Sequence, residues 1–176
     1  MNSIVESANL RVDTDDVGQV LAHGRNLIES GQFEAAANLY AASLCGANMG
    51  ASDIAHAEME NNLAAALCVL ADMPGQRSDA LQLLEDASQL LNRALSVRIR
   101  RTMPGPWANS RANLALVHLK LFERTADKSH MMAAHLALNG ADAAFYEAKE
   151  FEAIDWVRSI RAHIATLNDR ARQSWD

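Results

Sequence analysis

The sequence predicts an all-α protein assembled from a repeated helix–turn–helix unit, and three observations carry that prediction. Hydrophobic residues make up 49% of the chain but aromatics only 5%, so most of the apolar mass is Ala and Leu, the residues that favour helix most. Apolar positions recur at three- and four-residue spacing along most of the chain and nowhere alternate for long, as a strand requires. Finally, small–bulky–small triplets return at the same place in successive segments: Ala36-Tyr40-Ser43, Ala80-Leu84-Ala87 and Ala134-Leu138-Ala141.

Residues 1–13 read as a leader without a basic start or a following apolar run, so no secretory signal is expected. Thr14-Asp15-Asp16 then supplies N-cap chemistry for a first helix with Val17, Leu21, Gly24, Leu27 and Ile28 on its inner face. Gly31 ends it, and a second helix runs from about Phe33 to Cys45, before Gly46 and Gly50. Ser52-Asp53 caps a third, with Ile54, Met59, Leu63, Leu67 and Leu70 as its stripe.

Met73-Pro74-Gly75 is turn chemistry. Ser78 is placed to cap a fourth helix, apolar on two faces and so flanked by two neighbours. Met103-Pro104-Gly105-Pro106 breaks the chain again and leads into helix five, with Pro106 in its first turn. Helices six, about Ser129–Ala148, and seven, about Glu152–Arg172, complete the chain. Helix seven buries Ile154, Val157, Ile160, Ile164 and Leu167 and leaves Glu152, Arg158, Asp169 and Arg170 to water.

Residues 14–176 thus form one domain. Its units are about 14–46, 52–100 and 106–149, followed by a capping helix over 152–172. The triplets have a physical purpose. Small side chains let helix axes approach toward the short end of the ~8–10 Å packing range, and the bulky residue between them fills the groove where the next helix crosses. Each first helix offers a small residue at the crossing: Gly24, Ala64 or Ala115.

Gly24, Leu27, Gly31, Phe33, Ala36 and Tyr40 of the first unit fall at the signature places of the tetratricopeptide repeat (TPR), a family this chain resembles. NNLA at 61–64, NLA at 113–115 and NRALSVR at 92–98 are most similar to the longer-repeat variant of kinesin light chains and bacterial multi-TPR proteins. The resemblance spans about residues 14–150 well and 151–170 loosely. The turns inside units two and three are longer than usual, and the family's proline after the second helix appears only as Pro104. The resemblance implies a right-handed superhelix of antiparallel helix pairs, about seven helices in all. It also implies a concave groove that receives a peptide.

In that variant the Asn before the Leu-Ala pair contacts the peptide backbone, which points to Asn62 and Asn113 here; Ala22 and Ala162 stand at that place in the other units. An amide suits this role because it both donates and accepts. The alternative is that both side chains bridge neighbouring helices. The same register puts Arg25, Asn109, Leu116 and Lys120 in the groove, with Leu21, Ile28, Glu58, Ala65, Cys68 and Leu119 beside them, and Arg158 and Arg161 at its far end.

The implied function is protein–protein interaction, as an adaptor or scaffold. The alternative is a small cytoplasmic secretion-system chaperone of the three-TPR type, on size and repeat number. The partner is another protein or peptide segment, with homodimerisation a second use of the apolar surface. A formal net charge of 16 − 22 = −6 argues against nucleic acid. No run approaches the ~18 apolar residues of a membrane span.

Cys45 and Cys68 form no C-x-x-C and are expected in the core of a cytoplasmic protein. No phosphate-binding, nucleophile-elbow or H-E-x-x-H motif is present, so neither enzyme chemistry nor a cofactor or metal is expected. His56, Glu58 and Glu60 alternate and splay around a helix, and His130 and His135 are too far around the helix to converge. His23, His118 and His163 fall between helices. Arg93, Arg98, Arg100 and Arg101 read as cations at a helix C-terminus.

Overall fold

The computed structural model describes residues 16–45, 52–75 and 79–173, with side chains through Asp169. Those residues hold eight α-helices and no strand. They are α1 (Val17–Glu29), α2 (Phe33–Cys45), α3 (Asp53–Leu70), α4 (Ala80–Val97), α5 (Pro104–Thr125), α6 (Lys128–Ala137), α7 (Ala141–Ala148) and α8 (Phe151–Gln173). From α1 to α6 each helix packs on the next, α7 packs on α5 and α8, and α1 also touches α3, α3 touches α5, and α5 and α6 touch α8. The odd-numbered helices α1, α3 and α5 therefore lie side by side in one row that α8 continues. On the other side α2 packs on α1 and α3, α4 on α3 and α5, and α6 and α7 on α5.

Side chains cap the starts of three of these helices, at Asp16 and Ser52 as expected and also at Asp127. The Asp16 carboxylate accepts from Gln19 N at 3.2 Å, Ser52 Oγ from Ala55 N at 3.3 Å, and Asp127 Oδ1 from Ser129 N at 2.8 Å. Ser78 lies outside the described residues, as do Thr14, Asp15, Gly46, Gly50 and the 1–13 leader. Asp79 precedes α4 without a side-chain cap bond.

All three triplets are buried, as are Gly24, Ala64 and Ala115. At Gly24 the reason is direct. A Cβ there would lie 2.2 Å from Cζ and 2.3 Å from Oη of Tyr40, whose ring is fully buried. Only a residue without a side chain lets α1 sit on that ring.

Two expectations are corrected. The single helix over 129–148 is two helices, α6 and α7, because Leu138–Gly140 form a turn with Gly140 in left-handed backbone (φ +78°). The described residues thus hold eight helices where about seven were expected. Leu138 and Ala141 are still fully buried across this break, so the corner is a packed one. Cys45, at the last residue of α2, is exposed; Cys68 alone is in the core, where burial pushes its thiol up to about 11.

In α8, Val157, Ile160 and Ile164 are buried and Ile154 and Leu167 pack partly against the core. The Arg161 guanidinium donates to Leu138 O at 2.8 Å and to Asp142 at 3.0 Å, pinning α8 to the α6–α7 corner. Glu123 and His163 pair at 2.9 Å between α5 and α8. Such exposed pairs contribute ~0–1 kcal/mol each, so the apolar stripe fixes the helix and the pairs trim its position. No helix among the described residues is long and apolar enough to cross a membrane.

His118 of α5 meets His130 of α6, with Nδ1 atoms 3.3 Å apart and ring centroids 5.5 Å apart. Burial, then the neighbouring imidazole, lower the pKa of His118 to about 4. In the unfolded chain its pKa is ~6.5, so between those values the unfolded state binds the extra proton. Stability contributed here is complete above pH ~6.5 and falls as pH drops toward 4. Denaturant titrations across that range should show this slope, and His118→Gln should flatten it. An unchanged slope in that variant would mean His118 is solvated like an ordinary imidazole.

Candidate functional site

The α1–α3–α5 row carries a cleft of about 260 Å³. Arg25, Ile28 and Glu29 of α1 form one wall and Ala65 of α3 part of the floor. The rest is amide: Asn61 and Asn62 from α3, Asn109 and Asn113 from α5. Asn109 and Asn113 are four residues apart, so α5 presents both on one face. Asn61 is buried, at 5% exposure, and the other amides are half-buried.

These side chains form one connected network. Asn61 Nδ2 donates to Asn109 Oδ1 at 3.1 Å and to Asn62 Oδ1 at 3.3 Å. Asn113 Nδ2 donates to Asn109 Oδ1 at 3.2 Å and to Asn61 Oδ1 at 3.3 Å. Asn62 Nδ2 donates to the Tyr40 hydroxyl at 3.3 Å, which ties α3 to α2. Behind the cluster, Ser110 Oγ donates to Asn61 Oδ1 at 2.9 Å and accepts from Arg98 at 2.8 Å. Arg98 is 6% exposed and also donates to Pro106 O at 3.2 Å. Burial lowers its pKa, against the raising field of Glu58.

Two amide functions take no part in this network among the described residues: Asn109 Nδ2, a donor, and Asn113 Oδ1, an acceptor. Both side chains line the cleft. Burial raises the Tyr40 pKa, outweighing the hydrogen bond from Asn62 and the nearby Arg25, so the phenol stays protonated beneath the network.

Of the residues expected in a groove, Arg25, Asn62, Asn109 and Asn113 come together at the cleft. Asn62 and Asn113 also bridge helices, Asn62 tying α3 to α2 and Asn113 tying α5 to α3. Leu116 is half-buried against the core. Lys120 pairs with Asp72 in the turn after α3, where Arg124 also reaches Asp72 at 2.7 Å and Ala71 O at 2.9 Å. Burial works against ionised Asp72, but the hydrogen bonds from Lys120 and Arg124 hold its carboxyl below the usual range. Arg158 pairs with Asp155 of its own helix at 2.7 Å, and Arg161 serves the α6–α7 corner. Cys68 and Leu119 are buried and present no groove surface.

The basic run is dispersed rather than pooled. Arg93 pairs with Glu60 and Arg100 with Glu147, both at 2.6 Å, and Arg101 is exposed. Arg98 turns away from the end of α4 and meets the first turn of α5, so its acceptors are Pro106 O and Ser110, not the α4 carbonyls. Asn61 and Ser110, which complete the network, have a signal in the sequence only in retrospect. Polar residues at 61, 62, 109, 110 and 113 interrupt helices otherwise rich in Ala and Leu. No protein-family model, curated protein or solved structure matches the chain.

Proposed function

We propose that this chain is a protein–protein interaction module, an adaptor or scaffold, that holds an extended partner segment in the α1–α3–α5 cleft. One observation carries the reading: an uncommitted donor on Asn109 and an uncommitted acceptor on Asn113, neighbours on one helical face. A peptide unit brings one C=O and one N–H and needs both partners when it leaves water. Each such bond contributes ~0.5–1.5 kcal/mol net. The buried triplets and the side-by-side packing of α1, α3 and α5 support a TPR-like stacking, in which such a cleft runs across the first helices of the units.

The network makes two near-isosteric substitutions diverge. Asn109→Asp keeps the inward oxygen that accepts from Asn61 and Asn113 and replaces only the outward donor. Asn113→Asp removes the inward donor and sets a carboxylate against two carbonyl oxygens. The first variant should melt close to the parent. The second should lose ~1–3 kcal/mol of stability.

Peptides enriched from a displayed random library on the immobilised parent provide the binding probe. Asn109→Asp should bind them about tenfold more weakly, the value of one hydrogen bond at ~1.4 kcal/mol. A library from which no peptide is enriched, or undiminished binding by folded Asn109→Asp, would overturn the reading.

A further inference from the structure

We infer that Arg98 is the positioning residue that fixes which way every amide in the cleft points, and thereby which backbone group a bound strand must offer at each. The inference rests on the binding reading above only for the strand; the orientation of the amides stands without it.

A guanidinium donates hydrogen bonds and cannot accept them. Arg98 directs two of its N–H groups at Pro106 O and Ser110 Oγ, so the serine oxygen facing it must accept. With Arg98 on one lone pair, the serine proton goes to Asn61, which turns its carbonyl oxygen toward Ser110 and its NH2 away. From there each orientation forces the next. Asn61 Nδ2 meets Asn109 and Asn62, so both turn oxygens inward. Asn62 is left with its NH2 toward Tyr40, and Asn109 with its NH2 toward the cleft.

Asn113 meets two inward oxygens, Asn61 Oδ1 and Asn109 Oδ1, and can satisfy both only with its NH2. Its own oxygen is left outward. Reversing any amide would set donor against donor or acceptor against acceptor in a half-buried cluster, at the cost of a lost bond and a repulsive contact.

The outer face of the cluster therefore reads donor at Asn109 and acceptor at Asn113, four residues further along α5. A strand that answers this code offers its carbonyl at Asn109 and its N–H at Asn113. Without the buried cation, nothing in the cluster chooses between the two amide patterns, since every other member both donates and accepts.

The test reads the amides themselves and needs no partner. Side-chain NH2 resonances of the 15N-labelled protein should show Asn61 and Asn113 as single, dispersed pairs with protons that exchange slowly. Arg98→Met removes the donor while keeping a long apolar stem. It should double or broaden the Asn61 and Asn113 pairs and speed their exchange about tenfold. Arg98→Lys restores a donor-only group and should return single pairs.

Should Arg98→Met fail to fold, Ser110→Ala cuts the relay with Arg98 in place and should double the same resonances. A merely structural Arg98 would lower the melting temperature and leave single, protected pairs in the folded fraction of either variant; that result overturns the inference. If the amides reorient as expected and no peptide binds the parent, the orientation stands and the binding reading falls.

Discussion

Replacing Gly24 with leucine should destabilise the protein by about 3 kcal/mol or more, roughly a 10 °C fall in melting temperature for a chain of this size. Even the first carbon of a side chain would stand 2.2 Å from Tyr40 Cζ. The ring cannot step aside cheaply, because it is fully buried and its hydroxyl is the acceptor for Asn62. The strain should therefore pass to the amide network, and loss of the Tyr40–Asn62 bond adds to the overpacking. Gly31→Asn is the matched control. Gly31 also has a glycine-type backbone (φ +76°), but its Cβ direction meets nothing within 4 Å. Asparagine visits that left-handed region more readily than other residues, so the strain of this variant should cost far less than the Gly24→Leu clash. Adding Tyr40→Leu to Gly24→Leu should restore part of the loss, since the smaller side chain opens space on α2. Thermal melts of the four proteins check the ordering; a Gly31→Asn variant less stable than Gly24→Leu would mean that α1 and α2 do not meet at Tyr40.

Much of this architecture was legible because it depends on short spacings within one helix. The triplets and the small crossing residues announce close packing by size alone, and the residues that fill them are buried. The break between α6 and α7 leaves no mark on the apolar periodicity, for a physical reason. Asn139-Gly140 is ordinary turn chemistry, yet Leu138 and Ala141 on either side continue the helical apolar pattern. A turn whose flanking residues both reach the core leaves the periodicity intact.

The site was half legible. Asn62 and Asn113 stand out as polar residues before Leu-Ala pairs, and both do line the cleft. Asn61 could not be ranked above its neighbour, because adjacent helical positions point about 100° apart and only the placement of α5 decides which one is enclosed. In the sequence Arg98 stands with its neighbours as part of a basic run. Its actual partner, Ser110, lies 12 residues on, across the turn into α5. Spacing within a helix shows which residues share a face; it carries no signal for a bond between two helices whose crossing is not yet known.

Leu114→Asp should have the largest effect of all, unfolding the protein or destabilising it by at least ~4 kcal/mol. Leu114 is 6% exposed on α5, the helix that packs against α3, α4, α6, α7 and α8, so its environment is assembled from most of the fold. A carboxylate there is taken out of water among apolar side chains.

Burial of this kind raises a carboxyl pKa in the folded state above its unfolded value of ~3.9. The sign of the pH dependence follows. Below pH ~4 both states hold the proton and only the polar-for-apolar exchange counts. As pH rises toward the raised folded value, the unfolded chain gives up its proton first, and the variant loses further stability. Leu114→Asn separates the two terms, since it has the same shape and no charge. It should be destabilised at every pH without the added slope. Urea titrations of the parent and both variants at pH 4 and pH 7 measure both effects; an Asp variant that melts within a few degrees of the parent at pH 7 would show that α5 does not bury this face.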